Sequence, residues 1–123
     1  MFVKPAAGWR SMTQTAELTA PDGEVNDHFG NAVSVSGNII AIGASNWDHH
    51  QTGQSGAIYV YNKPASGWVT TSRSSAELFP PASSTASFLG ASVGVGSGVV
   101  IGGAPDATIN DQTYEGAVFV FGP

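Results

Sequence analysis

The sequence predicts an all-β fold of short antiparallel strands, and three observations predict it. Glycines and short apolar runs occur twice at one spacing: Gly30 and Gly90, Ala44 and Ala104, and Gly56 and Gly116 are each 60 residues apart. The runs are rich in β-branched residues and punctuated by turn residues, with 16 Gly and 7 Pro in 123 residues. No stretch shows a helical signal of any length. A fixed period of this size marks repeated supersecondary units.

Composition bounds the function classes. Hydrophobic residues are 41% and charged residues 11% of the chain, which is too apolar for disorder. A net charge of −5 argues against nucleic acid or an anionic membrane as partner. Without cysteine there is no disulfide or thiol chemistry, so the redox compartment stays open. No apolar run reaches the roughly 18 residues of a membrane span. Met1–Gly8 lacks the apolar core of a signal peptide, so the chain is expected to be cytosolic or a mature or excised piece of something longer. There is no glycosylation sequon.

The elements follow in order. Phe2-Val3-Lys4-Pro5 echoes Tyr61-Asn62-Lys63-Pro64, and the turn Pro5–Gly8 recurs as Pro64–Gly67. Each Trp that follows opens an expected outer strand of about ten residues, Trp9–Leu18 and Trp68–Leu78. One residue slips between the copies, and Ala16-Glu17-Leu18 returns as Ala76-Glu77-Leu78. A polar connection with Pro21-Asp22-Gly23 leads to two short strands near 31–36 and 39–44, joined at Ser36-Gly37-Asn38. Their counterparts are near 91–96 and 99–104, joined near Ser97-Gly98. These four strands hold no charged residue, so burial on both faces is expected. Long polar loops at 45–55 and 106–115 precede alternating aromatic strands, Ala57–Tyr61 and Ala117–Phe121.

Four antiparallel strands per period make a propeller-type blade. The chain is phase-shifted by one strand: it opens on an outer strand and closes after a third. Its expected organisation is an outer strand over 1–18 completing another blade, a first blade over 19–78, and a second over 79–123 lacking its outer strand. Unpaired edges invite strand addition from a copy of the same chain. Trp9, Arg10, Met12 and Leu18 are the candidate donor residues, and Val118 and Val120 the candidate acceptors. Such a contact is head-to-tail and gives a ring, of three or four chains, or a filament. The alternative is a fragment of a longer propeller.

The ordered motifs Phe29-Gly30, Ile39–Ser45 and Gly56–Tyr61, repeated as Leu89-Gly90, Val99–Pro105 and Gly116–Phe121, resemble the FG-GAP repeat of integrin-α-like β-propellers. The resemblance covers nearly the whole chain, in two degenerate copies. It implies an extracellular or cell-surface setting and a structural, adhesive role. Many members bind calcium through an Asp-rich loop between the first two strands. Here that position holds only Val35–Asn38 and Val95–Gly98, too few oxygen ligands for calcium. No metal or other cofactor is expected.

Seven of the nine acids, Asp22, Glu24, Asp27, Asp48, Asp106, Asp111 and Glu115, fall with His28, His49 and His50 on the expected long-loop face. Trp47-Asp48-His49-His50 is its most conspicuous loop, and Tyr114 sits in the comparable loop of the second copy. One reading is an exposed polar loop with a packed Trp. The other is a carbohydrate- or protein-binding site, because loop aromatics beside hydrogen-bonding groups suit amphipathic ligands. The adjacent histidines lack an evident third metal ligand. No nucleophile elbow or phosphate-cradling loop is present, so no enzyme is expected. Phe29 and Leu89 are expected as core plugs, with Gly30 and Gly90 permitting close backbone approach.

Overall fold

Alternation of apolar residues makes strands only where neighbouring strands can use them, and the described residues hold seven. In the computed structural model, which describes residues 1–48, 55–81 and 87–122, these are β1 (Phe29–Ser36), β2 (Ile39–Ala44), β3 (Ala57–Asn62), β4 (Ala76–Leu78), β5 (Ser92–Gly96), β6 (Val99–Ala104) and β7 (Ala117–Phe121). They form two antiparallel sheets, β1-β2-β3-β4 and β5-β6-β7. Among the described residues there is no helix.

The two sheets share one register. Ala44 pairs Ala57 and Ile42 pairs Tyr59, as Ala104 pairs Ala117 and Gly102 pairs Phe119. The β1–β2 hairpin turns on Gly37 at φ 57°, and β5–β6 turns on Ser97 and Gly98 at 49° and 77°. Positive φ at such positions matches the strand twist in two-residue loops.

The sheets pack face to face. Ala41 and Ile58 of the first meet Val100 and Ala104 of the second, with Leu89 from the segment before β5, in one buried cluster, with Val60, Val95, Phe119 and Phe121 around it. Two backbones approach closely here: a side chain on Gly43 would collide with the carbonyl of Gly90. Gly90 has φ 94°, which favours glycine, and the expectation for Leu89 and Gly90 is met. A second cluster lies on the other face of the first sheet. It holds Ile42, Trp47, Tyr59 and Tyr61, with Leu18, Phe29 and Trp68 against it.

Two expectations are corrected. Trp9–Leu18 is not a strand; only Leu18 makes a bridge, parallel to Thr71. Trp68–Leu78 shrinks to β4, because β3 offers pairing partners only from Ile58 to Val60. Strand propensity without a facing strand gives no ladder. Burial on both faces also fails at the two ends of the stack. Val33 and Val35 are 65% and 66% exposed, and Val118 and Val120 are 65% and 68% exposed, because no sheet covers them.

Candidate functional site

Of the ligand-loop candidates among the described residues, Trp47 is buried and Tyr114 exposed. Trp47 is only 3% exposed. Its indole Nε1 donates to Asp22 Oδ2 at 3.2 Å, and its ring lies 4.7 Å from that of Phe79. Of the two readings of this loop, the burial of Trp47 fits the packed Trp. Asp48 is half-buried beside it, while His49 and His50 lie outside the described residues. Tyr114 is 74% exposed, two residues beyond a tight turn where Ile109 and Gln112 exchange backbone bonds of 3.0 and 2.8 Å. Among the described residues, no three His, Cys, Asp or Glu side chains gather to hold a metal.

The polar groups that do meet have structural work. Asp22 Oδ1 accepts the Tyr59 hydroxyl at 2.6 Å, and the Thr19 carbonyl accepts that of Tyr61 at 2.7 Å. These bonds strap residues 19–22 onto the aromatic face of the first sheet. Burial raises both phenols, most at Tyr59, where Asp22 adds to it; Tyr61 is pushed up to about 12. Asp27 is buried and accepts the Glu24 N–H at 2.8 Å, which closes the turn before β1.

The more informative site lies at residues 1–20. Thr71 donates its N–H to Glu17 at 3.0 Å, and Thr19 donates to Thr71 at 3.1 Å. Leu18 and Ala20 pack on the aromatic face. Of the donor candidates, Trp9 and Arg10 are exposed, and Met12 and Leu18 are half-buried. They do not touch Val118 or Val120, which lie on the far face of the second sheet. A groove of about 490 Å³ opens between this segment and β1–β2, lined by Met1, Leu18, Val33, Val35, Ile40 and Ile42.

Met1 was not singled out by sequence, yet it is held firmly. Its N-terminal ammonium donates to the Ala16 carbonyl at 2.9 Å, and Thr15 donates back to Met1 at 2.9 Å. Val3 N–H reaches Thr15 Oγ1 at 3.3 Å. The same three-part pattern joins β3 to β4. Val60 pairs Ala76, Ser75 donates to the Val60 carbonyl at 2.7 Å, and Asn62 N–H reaches Ser75 Oγ at 3.0 Å. Residues 1–3 and 15–16 therefore have the bonding of a third-to-fourth strand corner. The echo of Phe2–Pro5 in Tyr61–Pro64 was the available signal.

Residues 12–61 match a family model described as the FG-GAP repeat. The matched stretch takes in the Ala16–Leu18 segment and β1–β3, and stops before β4. No curated protein matches the chain.

Proposed function

From the premise that the chain carries an FG-GAP repeat over residues 12–61, we propose that it is a structural, adhesive module of propeller-type blades that self-associates head-to-tail by strand pairing. One observation carries the reading. The tripeptide Ala-Glu-Leu occurs at 16–18 and 76–78, and the second copy is β4, the strand that closes the sheet of the preceding repeat. Each repeat thus lends its first strand to the sheet before it. Ala16–Leu18 is the equivalent donor, and β7 pairs only with β6 among the described residues, so it is the equivalent acceptor.

Pairing Ala16–Leu18 of one copy with Val118–Val120 of another is heterologous, so it closes a ring or extends a filament. Two blades per chain fit three chains for six blades or four for eight. The setting this reading implies is extracellular or at a cell surface, with the loops around exposed Tyr114 turned to a carbohydrate or protein ligand. A second reading, in which the neighbouring blade belongs to the same longer polypeptide, is favoured by the β3-like bonding of residues 1–3.

Light scattering from micromolar to millimolar protein tests the first reading. Mass is expected to rise with concentration, and to rise further with salt, since each copy carries −5. A strictly monomeric chain at the highest concentration refutes it.

A further inference from the structure

We infer that the exposed face of the three-stranded sheet docks on the open β1 side of the outer face of the four-stranded sheet of a second copy, in the geometry by which the two sheets meet within one chain. The inference rests on the proposed self-association and assigns it a surface. The internal interface supplies the template. Its first-sheet side is Ala41, Ile58 and Val60, and its second-sheet side includes Val93, Val95 and Val100. Shifted by the repeat, the first set becomes Ile101, Val118 and Val120, and the second becomes Val33, Val35 and Ile40. All six are apolar. Those two sets line the two open ends of the stack, and Val33, Val35 and Ile40 line the groove.

The close-approach glycines are kept as well. Gly43 and Gly56 are glycines because the backbones of Gly90 and Leu89 lie against them. The equivalents of the first two are Gly103 and Gly116, where a side chain would already meet Ser92 and the Pro105 carbonyl of the same chain, and the equivalent of Gly90 is Gly30. Gly30 holds φ 91°, against 94° at Gly90, yet a side chain there would meet nothing within 4 Å. The Gly30 backbone is thus shaped for a contact that one chain does not make.

Volumes change in compensation. Inside the chain the Ile58 Cδ1 fills the space in front of Gly102. In the shifted pair the residues are Val118, which has no Cδ1, and Ile42. The docked copy brings Val118–Val120 beside Ala16–Leu18, with Val120 at the place of Met1, so Met1 has to leave Ala16.

Ser34 Oγ accepts the Val95 N–H at 3.2 Å across the internal interface. The shifted pair is Gly94 and Val35, which face opposite ways in one chain. The natural chain has no cysteine, so the variant carrying V35C and G94C isolates this contact. Under air oxidation it is expected to give a ladder of disulfide-linked dimers, trimers and larger species. Either single variant is expected to stay monomeric, because the heterologous contact brings no two copies of one position together; dimers of a single variant in equal yield count against the docking. The S34C, V95C variant is expected to close an internal disulfide, which confirms reach. A concentration-dependent mass without the ladder overturns this docking while leaving self-association standing. A monomer at every concentration overturns both. A variant lacking residues 1–3 is expected to associate at lower concentration, and loss of association in it counts against the docking.

Discussion

Gly43→Ala is the sharpest probe of how the two sheets meet. Gly43 sits on β2 facing the second sheet. A Cβ there would overlap the Gly90 carbonyl oxygen and come within 2.9 Å of its carbon and 3.0 Å of its Cα. All three are backbone atoms, so no rotamer relieves the clash. Gly90 cannot drift alone either, because its N–H donates to Gly103 at 3.0 Å and its carbonyl accepts Asn31 Nδ2 at 3.0 Å. The sheets have to separate locally, loosening Ile58 against Leu89. Overpacking of this kind costs about 2–3 kcal/mol. For a chain of this size that lowers Tm by roughly 8–12 °C. Gly96→Ala is the matched control: its Cβ would meet nothing within 4 Å, at a φ open to any residue. Its expected change is within about 0.5 kcal/mol. Thermal melting followed by circular dichroism and Trp fluorescence reads both. If Gly43→Ala melts within about 2 °C of the Gly96→Ala control, the close approach of the sheets is refuted.

Three further expectations use the same melts. Leu89→Ala removes a fully buried side chain shared by both sheets and is expected to cost about 2–5 kcal/mol, the larger figures if the cavity stays open; a loss below about 1 kcal/mol contradicts its role as a plug. Tyr61→Phe loses the bond to the Thr19 carbonyl and is expected to cost about 1 kcal/mol, with the ring tolerated as Phe121 is at the equivalent place. Alkaline pH is the third. Burial and nearby carboxylates raise the Tyr61 phenol to about 12 and Tyr59 further, so the folded chain keeps protons that the unfolded chain releases above pH 10.0. Stability is therefore expected to be flat below pH 10 in this respect and to fall above it, by at most about 1.4 kcal/mol per pH unit for each ring. Tyr61→Phe removes its share of that slope; an unchanged slope rules out this linkage.

The sheet strands were legible because their signal is local and doubled. Six of the seven, from β1 to β3 and β5 to β7, lie within two residues of the bounds that alternation and turns predict. Trp9–Leu18 misled because its β-type sequence needs a facing strand, and Met1 supplies a single residue of one. The loop after β2 misled in the other direction. Trp47 and Ala107 share nothing as side chains, so the loops read as unrelated. Their backbones are the same: each donates to the last residue of its strand, Ala44 or Ala104, at 3.1 and 3.2 Å. Each then accepts from Gly56 or Gly116 at 3.1 and 3.0 Å. A conserved backbone bond leaves no trace in residue identity except at the glycine. The site was less legible than the fold because Trp47 is needed to cover Asp22, and a packed aromatic and a ligand-stacking one look alike in sequence.

The same doubling explains why equivalent faces of the two sheets differ in burial. Ala41 and Ile58 are buried and Val60 is partly buried while Ile101, Val118 and Val120 are exposed, although the second set carries more apolar volume. Intrinsic hydrophobicity therefore does not decide burial here; the presence of a following sheet does. In a stacked repeat, stability is the sum of what each unit holds and what each junction adds. This chain has one such junction, and the proposed docking would make a second between copies. The residues that would make the second junction, Gly30, Val33 and Val35 on one side and Gly103, Val118 and Val120 on the other, follow the rule of the first. Glycines sit at the close approach and branched aliphatics sit around it.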